Sequence, residues 1–264
     1  MEMRIGGREL QSVSGRWIPV TNPANGEEIG RVPRGEKSDV DLAVDEAETA
    51  FDSWASRTIR ERGMILAKGA AHVRQRVDEL SRLLTAEQGK PLKEAVDEIR
   101  GFANILEYFN GISGAMQGDL INLGRAGDAI VSREPIGVCG AIIPWNMPAI
   151  IMGWKIAPAL LAGNTMVFKP ASATPLTNLS LAEILETAGL PPGVLNIVTG
   201  RGEDVGGEMV RHPAIRRISF TGDTDTGRVI RGLASDHLKE LSLELGGSDP
   251  MVVWKDADIE RAVA

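Results

Sequence analysis

The second half of the chain alternates short apolar runs with helical segments, and this alternation restricts the fold more than any other feature. The apolar runs occupy Val138–Ile143, Thr165–Phe168, Val194–Val198, Arg217–Phe220 and Leu241–Leu245. The segments with helical spacing lie between them, at Ala149–Leu161, Leu176–Ala188, Asp204–Arg211 and Thr226–Ala234. Strands and helices that alternate at this spacing are typical of an α/β fold with a doubly wound parallel sheet.

The first 111 residues carry helical patterns instead. A capping-box sequence at Ser38–Asp41 predicts the start of one helix, and Thr58–Glu61 predicts the start of a second. We expect a third helix to end near Gln88, with Gly89 as the residue that terminates it. A fourth helical pattern covers Lys93–Gly111. The sequence therefore predicts a group of N-terminal helices before the sheet.

A β-hairpin is expected at about residues 119–134, between these helices and the sheet. Two apolar stretches, Leu120–Leu123 and Ala129–Val131, flank the turn-forming segment Gly124–Asp128. A hairpin that stands apart is only marginally stable without a partner surface. We interpret it either as a contact between subunits or as an excursion into solvent.

Charge and cysteine content narrow the function classes. The 264 residues include 29 Lys and Arg and 36 Asp and Glu, and they give a net charge of −7 without a strongly basic stretch. This balance argues against nucleic acid as a partner. The single cysteine cannot form an internal disulfide, and we see neither a signal peptide nor a membrane span, so we expect a cytoplasmic protein.

Glycine-rich turns follow two of the apolar runs. Gly200, Gly202 and Gly206 approach the spacing of a dinucleotide-binding fingerprint, although glycine is abundant in this chain. The segment Gly222–Gly227 opens a helix whose backbone N–H groups would suit an anion. An ordinary helix cap, by Thr221 or Asp223, explains the second turn equally well.

Several other enzyme classes do not fit. Short-chain reductases need a lysine four residues after a tyrosine, but Ile112 follows the single tyrosine, Tyr108, at that offset. The sequence contains no Gly-x-Ser-x-Gly elbow and no cluster of Cys and His, so we expect neither a serine-hydrolase triad nor a metal site. Cys139 lies inside an apolar run and is expected to be buried and unreactive.

Five motifs in register resemble the aldehyde dehydrogenase superfamily across essentially the whole chain. They are Glu87–Pro91, Ile143–Pro148, Lys169–Ser172, Phe220–Gly227 and Leu243–Gly247. The resemblance implies a Rossmann-like sheet with N-terminal helices and a protruding hairpin. It also implies that NAD or NADP accepts a hydride while an aldehyde is oxidised to a carboxylic acid through a cysteine thioester.

The resemblance assigns roles to individual residues. Asn146 would stabilise the oxyanion through its side-chain amide, and Glu244 would be the general base that activates the deacylating water. Without the motif, a salt-bridged strand end would be the preferred interpretation of Glu244. The coenzyme-binding residues would be Ile143, Pro144, Trp145, Lys169, Ser172, Gly202, Gly222, Asp223, Gly227 and Leu245. The residues that line the substrate tunnel, or that pack a helix onto the core, would be Met147, Ile151 and Trp154.

Two of these positions bear on the coenzyme. Lys169 resembles the lysine that holds the adenosine ribose, and Ser172 stands where many NAD-preferring members carry a glutamate. A hydroxyl there removes a charge clash with a 2′-phosphate and could donate to it, so we expect NADP to be accepted. Asp223 replaces a commoner serine, and it either brings negative charge near the pyrophosphate or only caps the helix.

The resemblance also indicates how much of the family fold is present. The family's nucleophilic cysteine follows the Glu-Leu-Gly-Gly motif by a few dozen residues, whereas this sequence ends 20 residues after Glu244. We therefore expect an NAD(P)-binding domain at residues 1–246 and the start of an incomplete catalytic domain at 247–264. This second part should contain a strand at Met251–Trp254 and a helix at Asp256–Ala264.

These boundaries lead to two functional hypotheses. The first is a truncated aldehyde dehydrogenase, inactive by itself, whose full-length form acts on an unspecified small-molecule aldehyde as a dimer or tetramer. The second is a short non-catalytic protein that binds a nucleotide or pairs with full-length subunits. A CoA-acylating relative is disfavoured because those members usually lack the glutamate found at Glu244.

Overall fold

The computed structural model describes residues 1–247 and 249–263. Its strands are β1 (Met3–Ile5), β2 (Arg8–Leu10), β3 (Trp17–Thr21), β4 (Glu28–Pro33), β5 (Asp119–Asn122), β6 (Asp128–Val131), β7 (Val138–Ile142), β8 (Thr165–Lys169), β9 (Leu195–Ile197), β10 (Arg217–Thr221) and β11 (Glu240–Glu244). Its α-helices are α1 (Lys37–Ala55), α2 (Ile59–Gln75), α3 (Val77–Gln88), α4 (Leu92–Gly111), α5 (Pro148–Leu161), α6 (Leu176–Thr187), α7 (Gly207–Arg211), α8 (Thr224–Ala234) and α9 (Ile259–Val263). A π-helical turn at Gly202–Gly206 leads into α7.

The centre of the molecule is a seven-stranded sheet in the order β11-β10-β7-β8-β9-β1-β2. The first five of these strands are parallel, and β1 and β2 continue the sheet beside β9 in antiparallel pairing. The chain moves outward from β7 through β8 to β9, then crosses to the other side of β7 for β10 and β11. This reversal creates a crevice beyond the carboxyl ends of β7 and β10, where open α/β sheets bind ligands.

Helices cover both faces of the sheet, which confirms the predicted doubly wound fold. Because successive side chains of a strand point to opposite faces, β7 contributes to two separate cores. Cys139 and Ala141 belong to the core formed with α2–α6, whereas Val138 and Ile142 belong to the core formed with α1, α7 and α8. No helix in the described part of the chain is long and apolar enough to cross a membrane.

The start of α1 differs from the prediction of a capping box at Ser38–Asp41. The helix begins at Lys37, and the backbone N–H of Glu36 donates to Asp39 Oδ2 at 2.8 Å. The carboxylate of Asp39 is buried and also accepts a hydrogen bond from the Ser12 hydroxyl at 2.7 Å. Ser12 lies 27 positions before Asp39 in the sequence. A local capping pattern considers only neighbouring residues, so it cannot predict this contact.

The other predicted boundaries among the N-terminal helices are confirmed. Thr58 caps α2, because the backbone N–H of Glu61 donates to Thr58 Oγ1 at 3.2 Å. The carboxylate of Glu61 in turn accepts from the backbone N–H of Thr58 at 2.8 Å. Gly89 ends α3 with φ at +91°, a left-handed conformation that favours glycine. The fourth helical pattern corresponds to α4.

Four strands in the first 33 residues were not anticipated. All three residues of β1 are buried beside β9, whereas β3 and β4 form a separate two-stranded sheet. The pairing of β1 with β9 joins Arg4 to Ile197, so a partner far along the chain stabilises a three-residue segment.

The predicted hairpin is confirmed as β5 and β6, which pair in antiparallel register. Its apolar side chains face solvent, and they include Leu120 at 71% and Ile130 at 80% exposure.

The predicted strand at Met251–Trp254 is wrong, because this segment has no strand partner and its apolar side chains are exposed. The predicted C-terminal helix at Asp256–Ala264 is shorter than expected, because α9 covers only Ile259–Val263; Ala264 lies outside the described residues.

Candidate active site

The ends of the parallel strands bring most of the predicted binding residues to one edge of the sheet. The loop after β7 carries Ile143, Pro144 and Trp145, and β8 ends at Lys169 with Ser172 in the loop that follows. The loops after β9, β10 and β11 carry Gly202, then Gly222 and Asp223, then Leu245. These residues are spread over more than 100 positions of sequence, and the parallel sheet is what places them along the same edge.

Lys169 is a buried cation at this edge. It is 4% exposed, and its Nζ donates to the carbonyl oxygen of the adjacent Pro170 at 3.1 Å. In the described part of the chain no carboxylate forms an ion pair with it. Burial lowers the pKa of Lys169 to about 8. A buried ammonium without a counter-charge is costly, so the edge favours a ligand that offers oxygen atoms.

Ser172 connects two of the loops at this edge. Its hydroxyl donates to the carbonyl oxygen of Gly200 at 2.8 Å, which ties the loop after β8 to the loop after β9. The hydroxyl proton is therefore directed at the backbone and not towards a ligand, unlike the predicted donation to a phosphate. Ser172 nevertheless gives this edge of the sheet a small, uncharged side chain, as expected.

The predicted glycines differ in what they contribute. A Cβ atom at Gly222 would lie 2.6 Å from the ring of Phe220, and one at Gly227 would lie 2.5 Å from the side chain of Leu245. Any larger residue at either position would have to displace the end of that neighbouring side chain. Gly202 is exposed, and a Cβ atom there would have no heavy atom within 4 Å. Packing within the chain therefore gives no reason for glycine at this position.

Asp223 is the N-cap of α8. Its Oδ2 accepts hydrogen bonds from the backbone N–H groups of Asp225 at 2.8 Å and Thr226 at 3.1 Å. The carboxylate occupies the place that an external anion would take at the start of this helix. The structure therefore confirms that Asp223 caps this helix. Its carboxylate also places a negative charge in the loop after β10.

A cleft of about 740 Å³ lies on the face of the sheet that α5 only partly covers. Ile151, Trp154 and Lys155 of α5 form its wall, and Ser219 and Glu244 are among the strand residues that form its floor. The structure therefore brings three predicted residues, Ile151, Trp154 and Glu244, into one space. Asn146 and Met147 are exposed on the loop after β7 and are not among the residues that line the cleft.

Lys155 is a site residue that the sequence analysis missed. Its Nζ donates to Ser219 Oγ at 2.8 Å across the cleft. Burial lowers the pKa of Lys155 to about 8, and the charge of Glu244 acts in the opposite direction. The available signal is a single lysine within the helical segment Ala149–Leu161, whose other residues are all apolar.

Glu244 ends β11, which is the edge strand of the sheet, and its side chain is exposed. The proposed general base therefore does not lie at a buried strand end. The alternative of a salt-bridged strand end is not observed either, since Glu244 forms no ion pair within the described residues.

Cys139 is buried, as predicted. It is 4% exposed, and burial raises the pKa of its thiol to about 11. At neutral pH such a thiol is almost entirely protonated and is a poor nucleophile. No group of three or more His, Cys, Asp or Glu residues is positioned to hold a metal ion among residues 1–247 and 249–263.

Comparison with known proteins gives the family. The sequence profile of the aldehyde dehydrogenase family matches residues 10–264. The structure of an NADP-dependent enzyme from E. coli is 43% identical with a TM-score of 0.95, and the match covers 99% of this chain and 55% of that chain. An aldehyde dehydrogenase from Brucella melitensis biovar abortus 2308 is 41% identical with a TM-score of 0.95, again over 99% and 55%.

A betaine aldehyde dehydrogenase from Staphylococcus aureus, solved with NAD⁺, is 35% identical with a TM-score of 0.95 over 99% of this chain and 54% of that chain. This chain belongs to the aldehyde dehydrogenase family. It spans about half the length of the solved structures that it matches.

Proposed function

We propose that residues 1–246 are the coenzyme-binding part of an NAD(P)-dependent aldehyde dehydrogenase. The observation that carries this proposal is Lys169, a buried ammonium without a carboxylate partner in the described chain, at the edge where open α/β sheets bind ligands. Ribose hydroxyls or a phosphate would supply further acceptor oxygens to this ammonium, which already donates to the carbonyl of Pro170. The bound nicotinamide would accept the hydride from the aldehyde.

The neighbouring residues fit a dinucleotide. Ser172 is too small to exclude a 2′-phosphate, and it brings no charge, so both NAD and NADP can be accommodated. Gly222 directly follows β10 at this edge and adds no side chain there. The E. coli relative is described as NADP-dependent, and the Staphylococcus relative was solved with NAD⁺, so related proteins use both coenzymes.

Two residues would act on the aldehyde. The exposed side-chain amide of Asn146 would donate to the carbonyl oxygen as negative charge develops there. The carboxylate of Glu244, which lines the cleft, would take a proton from the attacking water. Ile151 and Trp154 give that cleft an apolar wall on which the carbon chain of an aldehyde would rest.

We propose that the 264-residue chain does not oxidise aldehydes by itself. Its single cysteine, Cys139, is buried with a raised pKa, so it cannot supply the thiolate that the reaction needs. Reading the gene beyond the codon for residue 264 separates the two hypotheses. A cysteine a few dozen residues after Glu244 supports the dehydrogenase, and a stop codon supports a short nucleotide-binding or subunit-pairing protein.

The proposal includes a homo-oligomer in the cytoplasm. The exposed apolar side chains of β5 and β6 would pair with the same element of a second subunit. Substituting Ile130, which is 80% exposed, by glutamate should then lower the molar mass measured by light scattering. An unchanged mass would show that this hairpin is not the contact.

Coenzyme binding by the purified chain tests the proposal directly. NADH and NADPH are titrated into the chain while the coenzyme fluorescence is followed, and the same titration is made with Lys169→Met. We expect both coenzymes to bind to the unmodified chain and the variant to bind each at least tenfold more weakly. Failure of the folded, unmodified chain to bind either coenzyme would refute the proposal.

A further inference from the structure

The turn that carries Asn146 depends on a distant side chain. Trp145, Asn146 and Met147 are all exposed between the end of β7 and the start of α5. The backbone carbonyl of Asn146 belongs to neither element, and it accepts a hydrogen bond from Lys90 Nζ at 2.9 Å. Lys90 lies 56 positions earlier, in the turn between α3 and α4.

Glu98 on α4 holds the other end of this arrangement. Its side chain is 2% exposed and forms an ion pair with Lys90, whose side chain is 10% exposed. The same carboxylate accepts from the backbone N–H groups of Ala149 at 2.8 Å and Ile150 at 3.3 Å. A carboxylate in this position satisfies free donors of the first turn of α5. Lys90 and Glu98 together therefore bind the backbone just before the start of α5, at Asn146, and just after it, at Ala149 and Ile150.

The same short turn also reaches the next loop along the sheet edge. Glu87 is buried, and its carboxylate accepts from the backbone N–H groups of Leu176 at 2.8 Å and Thr177 at 2.9 Å, at the start of α6. The segment 87–90, one of the five motifs recognised in the sequence, thus contacts the protein after β7 and after β8. The chemistry proposed above assigns it no role.

We propose that Lys90 is a positioning residue for Asn146, and that Glu98 orients Lys90. With the carbonyl oxygen of Asn146 held, the peptide unit that follows it cannot rotate without losing a charge-assisted hydrogen bond. The hydrogen bond therefore restrains the backbone from which the side chain of Asn146 projects, and a donor whose backbone is held in advance needs less reorganisation when negative charge forms on the substrate. The catalytic meaning of this inference rests on the proposed function, whereas the hydrogen bond itself does not.

A single NMR signal can report on this hydrogen bond. Asn146–Met147 is the one Asn-Met dipeptide in the sequence, so labelling Asn with ¹³C at the carbonyl and Met with ¹⁵N gives one carbonyl-to-amide cross-peak. In Lys90→Met we expect the carbonyl resonance to move upfield, because it loses its donor. Lys90→Arg keeps a cationic donor and should restore the shift towards that of the unmodified chain. Lys93→Met, an exposed lysine on α4, is the matched control and should leave the peak in place.

Two further measurements keep the test decisive if Lys90→Met does not fold. The double variant Lys90→Met/Glu98→Gln removes both charges of the buried pair, and its peak should move in the same direction. In the unmodified chain, a lysine labelled with ¹⁵N should show a slowly exchanging Nζ resonance with a scalar coupling to the Asn146 carbonyl. Absence of that coupling, or a peak that stays in place in the folded variants, overturns the proposal.

The coenzyme titration distinguishes this failure from failure of the proposed function. If the Asn146 peak moves as expected but the unmodified chain binds no coenzyme, the positioning role stands and the assigned chemistry is wrong. If coenzyme binds and the peak does not move, the proposed function stands and Lys90 has no positioning role.

Discussion

Lys155 Nζ and Ser219 Oγ are 2.8 Å apart, and their hydrogen bond joins α5 to β10 across the cleft that Glu244 also lines. Lys155 is only 8% exposed, and no carboxylate forms an ion pair with it in the described chain. Its pKa of about 8 lies below the ordinary lysine value of 10.5, mainly because burial disfavours the charged form. The protein therefore carries a lysine whose charge destabilises the fold near neutral pH.

Replacing this lysine should stabilise the chain in a pH-dependent way. Between pH 8 and 10.5 the folded state binds fewer protons at Lys155 than the unfolded state does. Below pH 8 the charged lysine lowers the unfolding free energy by its full amount, about 3 kcal/mol. This cost disappears as the pH rises towards 10.5. Lys155→Met loses the bond to Ser219, so we expect a net gain of about 2 kcal/mol in unfolding free energy at pH 7.

Urea unfolding at pH 7 and at pH 10 measures this difference. The control is Lys68→Met, an exposed lysine on α2, which should change stability little at either pH. A loss of stability in Lys155→Met that is the same at both pH values would mean that Lys155 is charged without penalty in the folded chain.

Lys169 should make NADP⁺ binding depend on pH. Its pKa is lowered to about 8 by burial, and a 2′-phosphate beside it would raise that pKa. Binding then takes up a proton above pH 8, so the affinity for NADP⁺ should fall by up to tenfold per pH unit over that range. Calorimetric titrations in two buffers with different ionisation enthalpies detect the proton uptake directly. In Lys169→Gln the uptake should vanish, and its persistence would place the titrating group elsewhere.

Ser172 should determine how well the two coenzymes are distinguished. Ser172→Glu places a carboxylate where a 2′-phosphate would bind, and like charges at contact distance repel. We expect the dissociation constant of NADP⁺ to rise at least tenfold and that of NAD⁺ to change little. Ser172→Ala is the matched control, because it removes the hydrogen bond to Gly200 without adding charge. Equal losses for both coenzymes in the glutamate variant would indicate distortion of the loop.

The parts of this structure that could be predicted from the sequence are those encoded by local patterns. The five parallel strands were found from their apolar runs, and the loops that follow them then had to share one edge. Contacts between distant segments were not accessible in this way. The bond from Lys155 to Ser219 joins residues 64 positions apart, and the bond from Lys90 to the Asn146 carbonyl joins residues 56 apart.

Glu244 shows a second limit of sequence patterns. The apolar run before it resembles the runs that form β7 and β8, and those two strands are buried along their whole length. β11 has β10 as its sheet neighbour and lies at the edge, so its residues are only partly covered. Apolar composition predicts that a segment forms a strand, but the number of neighbours and covering layers decides how deeply it is buried.

Asp223 should weaken coenzyme binding while it stabilises α8. Asp223→Asn keeps a side-chain acceptor for the N–H groups of Asp225 and Thr226 but removes the charge. We therefore expect it to bind coenzyme more tightly, with little change in stability. Asp223→Ala removes the cap as well and should lower the unfolding free energy by about 1 kcal/mol. Unchanged coenzyme affinity in the asparagine variant would show that the pyrophosphate lies away from this loop.

Glu87 should give the chain a pH dependence on the acid side of neutrality. The carboxyl is 3% exposed, and burial raises its pKa to about 7, although the N–H groups of Leu176 and Thr177 partly offset this shift. Between the ordinary value of 4.5 and pH 7, the folded state binds more protons at Glu87 than the unfolded state does. The contribution of Glu87 to the unfolding free energy is therefore largest below pH 4.5. It falls by about 3 kcal/mol as the pH rises through 7.

Glu87→Gln removes this titration and keeps one amide oxygen as an acceptor. Relative to the unmodified chain, the variant should gain about 3 kcal/mol of unfolding free energy as the pH rises from 4.5 to 7.5. Urea unfolding followed by circular dichroism across this range gives the difference at each pH, and taking the difference cancels the titration of the other carboxylates. Glu94→Gln, an exposed residue on α4, should show no such trend. A constant difference between the Glu87 variant and the unmodified chain would mean that Glu87 remains ionised in its buried position, held by the start of α6 alone.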